Sequence, residues 1–210
     1  MARPDRGANV PNTPYRLNLP EPRQSGVAVE RCISQRRSVR DFRARALTAG
    51  QLGQLLWAAQ GVTGEEEERT VPSAGALYPL ELYAVVGSAV DLAPGVFRYH
   101  PGRHELLLVE PGDLRQKLVV ATGGQDWIAM VPAIVCIAAV FHRTTVKYGS
   151  RGHSYVYLEA GHAAESLMLQ AVALGLATTM VGAFSDDDVK HILHLGRDET
   201  PLCLIPVGSP

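Results

Sequence analysis

Gln35-Arg36-Arg37-Ser38-Val39-Arg40-Asp41-Phe42 is the stretch on which the reading of this chain turns. Three arginines and a hydroxyl fall between a short amphipathic segment (Val29, Cys32, Ile33) and a second one running from Leu52 to Ala59. Arginine carries a permanent charge and a planar fork of donors that matches a phosphate. Ser38 can donate to a polar neighbour or accept from it. Arginines this close repel one another unless an anion sits among them. On charge alone the stretch also reads as a solvated basic loop. Val27 to Gln35 has the pattern of a short helix, and a helix C-terminus carries partial negative charge that repels phosphate. An anion here would have to be held by side-chain charge, which three arginines supply.

The surrounding composition narrows what such an anion can be. The chain has 210 residues, 46% of them hydrophobic and 20% charged, with a formal net charge of -1. That is a globular composition, long enough for a sizeable core. A near-neutral protein has no overall pull toward nucleic acid or an acidic membrane, so a local basic cluster points to a small anionic ligand. The three cysteines, Cys32, Cys136 and Cys203, form no CxxC pair and suggest neither a zinc ribbon nor a disulfide framework. The most apolar run, Ile128 to Phe141, contains Pro132 and falls short of the roughly 20 residues a membrane span needs. With no signal-like core after Met1, the expectation is a cytoplasmic protein.

Outward from the arginines, residues 1–27 hold five of the fourteen prolines and read as a proline-rich N-terminal arm. Residues 28–210 read as one domain. Thr48-Ala49-Gly50-Gln51 is a capping-box pattern, opening a helix with Leu52, Leu55, Leu56 and Ala59 on one face. Pro72-Ser73-Ala74-Gly75-Ala76-Leu77-Tyr78-Pro79 is small, rigid and poor in charge, which permits close backbone approach to a flat ligand; a plain tight connection would look similar. Strands are expected at Glu81–Val86, at Val96–Tyr99 and Glu105–Val109 around Pro101-Gly102, at Ala133–Val140, at Thr178–Val181 and at Leu202–Pro206. Helices are expected after Asp113, from Tyr155 to Leu174, and after Ser185. Strands and helices mix without regular alternation, which favours α+β.

Glu159-Ala160-Gly161-His162 has the Glu-x-x-His spacing of di-iron carboxylate bundles, but it occurs once, so no metal site is expected and His162 reads as a helix-packing or network residue. Lys147-Tyr148-Gly149 lies beyond the buried strand, flanked by Arg143 and Arg151. A partly buried lysine among cations loses its proton more readily and can act as a base, with an adjacent tyrosine orienting a substrate. A surface loop would show the same spacing.

Taken in order, Arg36-Arg37-Ser38-Val39-Arg40, Pro72 to Tyr83, Lys147-Tyr148-Gly149-Ser150-Arg151-Gly152, Glu159-Ala160-Gly161-His162, Leu174-Gly175-Leu176 and Val181-Gly182-Ala183-Phe184 resemble the nitroreductase-like FMN oxidoreductases. More narrowly they resemble the SagB-type branch, which includes azoline dehydrogenases. The resemblance spans residues 28–210. It implies an α+β fold with a central mixed or antiparallel sheet and flanking helices, paired as an intertwined homodimer with FMN at the interface. It implies that Arg36, Arg37, Ser38 and Arg40 meet the FMN phosphate, ribityl chain and pyrimidine edge. Pro72, Ser73, Ala74, Gly75, Ala76 and Leu77 would approach the flavin from the second subunit, and Gly182 and Ala183 would lie near its reactive edge. Lys147 and Tyr148 match a pair that assists proton removal. The chain departs from many relatives in having Ser209 where they carry a lysine, Ala76 where they carry asparagine, and Glu165-Ser166 where they carry Gln-Asn.

The expected function is therefore FMN-dependent hydride transfer between flavin and a small-molecule or modified-peptide substrate. The alternative within the family is an NAD(P)H-dependent nitro or quinone reductase, with NAD(P)H as electron donor. An alternative of another class is a non-catalytic flavin- or nucleotide-binding protein.

Overall fold

The computed structural model describes residues 15–210, and positions 1–14 of the proline-rich stretch lie outside the described residues. Seven strands form one sheet: β1 (Arg16–Asn18), β2 (Leu80–Val86), β3 (Gly95–His100), β4 (Glu105–Pro111), β5 (Ala133–Ala139), β6 (Ala177–Thr178) and β7 (Thr200–Gly208). Their order is β1-β4-β3-β2-β5-β7-β6, and every paired neighbour is antiparallel. Six α-helices accompany it among the described residues: α1 (Val29–Gln35), α2 (Ala49–Gln60), α3 (Arg115–Ala121), α4 (His142–Tyr148), α5 (Arg151–Ala173) and α6 (Asp186–Ile192).

The sheet is covered on both faces because its strands alternate between two apolar clusters. Along β2, Leu82, Ala84 and Val86 join Leu52, Leu55 and Leu56 of α2 and Val156 and Leu167 of α5. Tyr83 and Val85 point the other way, toward Leu118 of α3 and Val189 of α6. This is the period-two geometry of a pleated strand. All seven residues of β5 are buried, as a strand sandwiched between two helical layers requires. The expected α+β class is observed, with the antiparallel form of the sheet.

The expected capping box is present. The Thr48 hydroxyl accepts from Gln51 N–H at 3.1 Å, and the Gln51 side chain accepts from Thr48 N–H at 3.1 Å. Ser185 caps α6 through Asp188 N–H at 3.4 Å. Asp113 behaves differently from the expected cap. The N-cap of α3 is Leu114, and Asp113 instead accepts from Arg115 N–H at 3.1 Å and Arg115 Nε at 2.9 Å. The polar stretch after β5 is helical: α4 begins at His142 without a side-chain cap, so no sequence signal announced it.

Residues 15–27, within the stretch read as an arm, contribute to the sheet and its core. β1 pairs with β4, Leu19 is buried, and Leu19 N–H donates to the His104 carbonyl at 2.9 Å. His104 Nε2 lies 3.0 Å from the Pro20 carbonyl, which can only accept, so Nε2 carries the proton and Nδ1 accepts from the Tyr99 hydroxyl at 2.8 Å.

Candidate active site

The arginine loop is fixed by its backbone. Arg36 N–H closes α1 onto the Cys32 carbonyl at 2.9 Å. Ser38 then forms a parallel bridge with Thr178 of β6, Val39 N–H donates to the Thr178 carbonyl at 3.0 Å, and the Thr179 hydroxyl donates to the Val39 carbonyl. Arg43 N–H donates to the Ser209 carbonyl at 3.0 Å. The side chains are left outward: Arg37, Ser38 and Arg40 are exposed and Arg36 is half-buried. Arg37 folds back, donating to the carbonyls of Ser34 at 3.1 Å and Arg36 at 2.7 Å. It thereby offsets the partial negative charge at the end of α1. Arg36 Nε stands 3.7 Å from Glu165 Oε1 of α5. Arg40 has no carboxylate within 4.0 Å among the described residues.

The Pro72–Leu77 segment is built the other way. Gly75, Ala76 and Tyr78 all lie in the left-handed region, with φ of 66°, 53° and 44°. For alanine and tyrosine this costs roughly 1–2 kcal/mol each. Side chains hold the segment in this shape. The Ser73 hydroxyl accepts from Tyr78 N–H at 2.9 Å, and Arg143 donates to the Tyr78 carbonyl at 2.9 Å. The Arg69 guanidinium lies 4.2 Å from the centre of the Tyr78 ring. Beneath the turn, the Glu159 carboxyl of α5 lies beside Ser73, whose hydroxyl favours its charged form. Glu159 is 3% exposed, and its Oε1 has no partner among the described residues. Burial pushes its pKa up to about 7, against the smaller opposing pulls of Ser73 and Arg69.

Gly75 is where this segment meets α4. A β-carbon at Gly75 would stand 2.7 Å from Tyr148 Oη and 2.9 Å from Lys147 Nζ. Only a residue without a side chain, and tolerant of positive φ, lets these groups approach the backbone so closely. Tyr148 is set edge-on against Tyr155 of α5, with ring centres 5.1 Å apart. Lys147 is exposed, so the half-buried lysine expected from its cationic neighbours is not found. Pro72, Ser73, Ala74, Tyr155, Glu159 and His162 border a cavity of about 240 Å³. His162 is exposed and not a packing residue.

The predicted residues thus fall into two groups joined by α5. Pro72 to Leu77 come together with Lys147 and Tyr148. Arg36 to Arg40 are tied to β6, whose continuation bridges Val181 to Leu204 and leads to the exposed Gly182 and Ala183. Glu159 faces the first group and Glu165 the second. Six residues of helix separate them, about 9 Å of rise and about 240° of turn. Sequence reasoning did not find Arg69, the clamp role of Arg143, or the Glu159–Ser73 contact. The one available signal was an acid set among the apolar positions Val156, Ala160 and Ala163 of the long helix.

Residues 33–209 match the model of the nitroreductase family. A protein of Methanocaldococcus jannaschii that carries the nitroreductase name is 43% identical over 182 residues, 87% of this chain and 91% of that protein. The crystal structure of a protein of Anabaena variabilis, also named for nitroreductases, superposes with a TM-score of 0.83 at 25% identity, covering 94% of this chain and 42% of that one. The trifolitoxin-processing protein TfxB of Rhizobium leguminosarum bv. trifolii is 26% identical over 143 residues, 63% of this chain and 37% of that protein. A family match over most of the chain, together with the antiparallel α+β sheet beneath it, makes this chain a member of the nitroreductase family.

Proposed function

We propose that this nitroreductase-family oxidoreductase binds FMN and works as a SagB-type dehydrogenase, passing hydride between the flavin and a small-molecule or peptide-heterocycle substrate. The contact of Gly75 with Lys147 and Tyr148 carries this reading, because it sets a candidate base beside a bare backbone surface suited to a flat ring. The residues present fit the cofactor. Arg36 and Arg40 with the exposed Ser38 hydroxyl suit a phosphate dianion, and Arg37 adds its charge nearby. Ala74, Gly75 and Ala76 present little side-chain bulk, and Gly182 and Ala183 have open space beside them. When bound, FMN would supply the two-electron chemistry.

The chain's own residues would handle the proton. A substrate that gives up a hydride from one carbon also loses a proton from its neighbour. Lys147 Nζ would take that proton and return it to solvent, to which it is exposed. Tyr148, braced by Tyr155, would orient the substrate. The partial similarity to a trifolitoxin-processing protein supports a modified peptide as one substrate class. The two groups of site residues lie on different sides of α5, which supports a site completed by a second copy. Exposed Val29 and Ile33 of α1 and Tyr157 and Leu158 of α5 supply apolar surface for such a homodimer.

The absorbance spectrum of the purified protein is the first test: flavin bands are expected, and a colourless protein that takes up no FMN would sink the proposal. Anaerobic mixing with NADPH then separates the two catalytic versions. Slow or absent bleaching is expected of a dehydrogenase, whereas rapid bleaching would assign the chain to NAD(P)H-driven nitro or quinone reduction. Lys147→Ala is expected to slow substrate oxidation with FMN retained, and unchanged turnover would remove Lys147 from the mechanism.

A further inference from the structure

The β2–β3 ladder ends at Tyr83 and Arg98, although β2 continues to pair with β5 as far as Leu80, and β3 with β4 as far as His100. Where the two strands part they leave a cleft of about 420 Å³. Its walls include Leu80, Leu82, Tyr99 and Leu107, and its charged lining includes Arg69, Arg98, Arg143, Glu67 and Glu81.

The arginines of this cleft are not equivalent. Glu81 is shared between Arg98 at 2.8 Å and Arg143 at 2.6 Å. Glu199 stands 3.4 Å from Arg98 and receives the Tyr83 hydroxyl at 2.6 Å. These two carboxylates offset two guanidinium groups. Arg69 has no carboxylate within 4.0 Å among the described residues. It donates to Gln60 Oε1 at 2.6 Å, which fixes the amide and turns Gln60 Nε2 away from that bond. Neither Gln60 Nε2 nor Arg69 Nε has an acceptor among the described residues, and Gln60 is fully buried. Two orphaned donors and an unpaired charge thus border one cleft with apolar walls. A buried donor without an acceptor is costly; both atoms are closed to solvent, so an incoming oxyanion would satisfy them by drawing the Arg69 and Gln60 side chains toward the cleft they line.

We propose that this cleft is a binding site for a small molecule with an oxyanion, carboxylate or phosphate ester, on a compact apolar body. The anion takes Arg69 and Gln60, and the body lies against Leu82 and Tyr99. The site does not depend on the flavin assignment. It touches the proposed active site, because Arg69 covers the Tyr78 ring and Arg143 holds the Tyr78 carbonyl. Lys147 lies one turn of α4 beyond Arg143.

The test uses benzoate, phenyl phosphate and neutral benzamide as probes of the full chain. Calorimetric titration is run on the protein as purified and on a variant with Arg36→Ala and Arg40→Ala, which lacks the other anion-attracting cluster. Saturable binding of benzoate or phenyl phosphate to both proteins is expected, and the tighter of the two identifies the class of oxyanion. Arg69→Met should weaken it about 10–100-fold. Since that variant could misfold, the Arg69 Nε–H resonance is followed by NMR in the unaltered chain, where a saturable shift with the same probe is expected. Benzamide binding as tightly as benzoate, binding lost with Arg36 and Arg40, or an unmoved Arg69 resonance would each overturn the proposal.

Discussion

The two segments that flank α5 hold their shape by opposite means. In the arginine loop the backbone is anchored, to Thr178 and Ser209, and the charged side chains of Arg36 and Arg40 project from it. In the Pro72–Tyr78 segment most side chains are small, the backbone at Gly75 and Ala76 is exposed, and side chains from elsewhere, Arg69 and Arg143, hold it in a left-handed shape. A region that offers charge can be recognised by its own residue types. A region that offers bare backbone depends on distant residues and shows little of itself locally.

This contrast can be broken most forcefully at the arginines. Replacing Arg36 and Arg40 together by alanine should remove two charge-assisted contacts to the proposed phosphate, about 3–6 kcal/mol of binding, while leaving the fold intact. Flavin fluorescence titration measures this, and full FMN occupancy in the variant would show that the loop is not the anchor.

Glu159 tests the other region through pH. Its folded pKa of about 7 lies above the 4.5 of an unfolded glutamate. The folded state therefore holds the proton more tightly, and stability falls as pH rises between the two values. The favourable contribution is fully present below about 4.5 and lost as pH passes through about 7, about 3 kcal/mol in all. Glu159→Gln should flatten this part of the curve, leaving the variant more stable than the wild type at pH 8. Denaturant unfolding at pH 5 and pH 8 gives the comparison, and an unchanged slope would mean that Glu159 is not a buried, proton-holding group.

Gly75→Ala should act on geometry more than on stability. Its positive φ costs about 1–2 kcal/mol, and the new methyl group displaces the ends of Lys147 and Tyr148. Turnover should fall several-fold more than the melting temperature implies, with FMN retained; a fall in stability alone would separate Gly75 from catalysis. The smallest effect is expected at Glu165. Since Glu165 would compete with the proposed phosphate for Arg36 across an exposed 3.7 Å gap, Glu165→Gln should tighten FMN binding about two- to five-fold, within the roughly 1 kcal/mol of a surface ion pair. Weaker binding in the variant would mean that Glu165 orients Arg36 instead of competing for it.

The same contrast explains what could be read from the sequence. The arginine cluster, the Thr48 capping box and the all-apolar β5 are local patterns, and each appears in the structure where its residues placed it. The helix α4 has no capping side chain and only seven residues, so its polar run resembled a loop. The clamp on Tyr78 joins Arg69 and Arg143 through a fold that had not yet been specified. Glu159 sat in a recognisable Glu-x-x-His, but what it meets is Ser73, brought to it by packing and not by spacing. Residues 15–27 show few apolar periodicities because only Leu19 is fully buried, with Leu17 partly buried against the core, and β1 is three residues long.

The position of β7 sets an order of events. It lies between β5 and β6, pairing Ala133 with Val207 and Thr178 with that same Val207. β2, β3 and β4 can assemble from neighbouring turns, whereas β7 must find β5 across α4, α5 and α6, and such distant pairings form slowly. The arginine loop is sewn to β6 and to Ser209 just beyond β7. Its geometry is therefore completed only when β7 docks. During refolding, phosphate affinity should appear after most of the helical signal has returned, making cofactor capture a clock for the final step of sheet assembly.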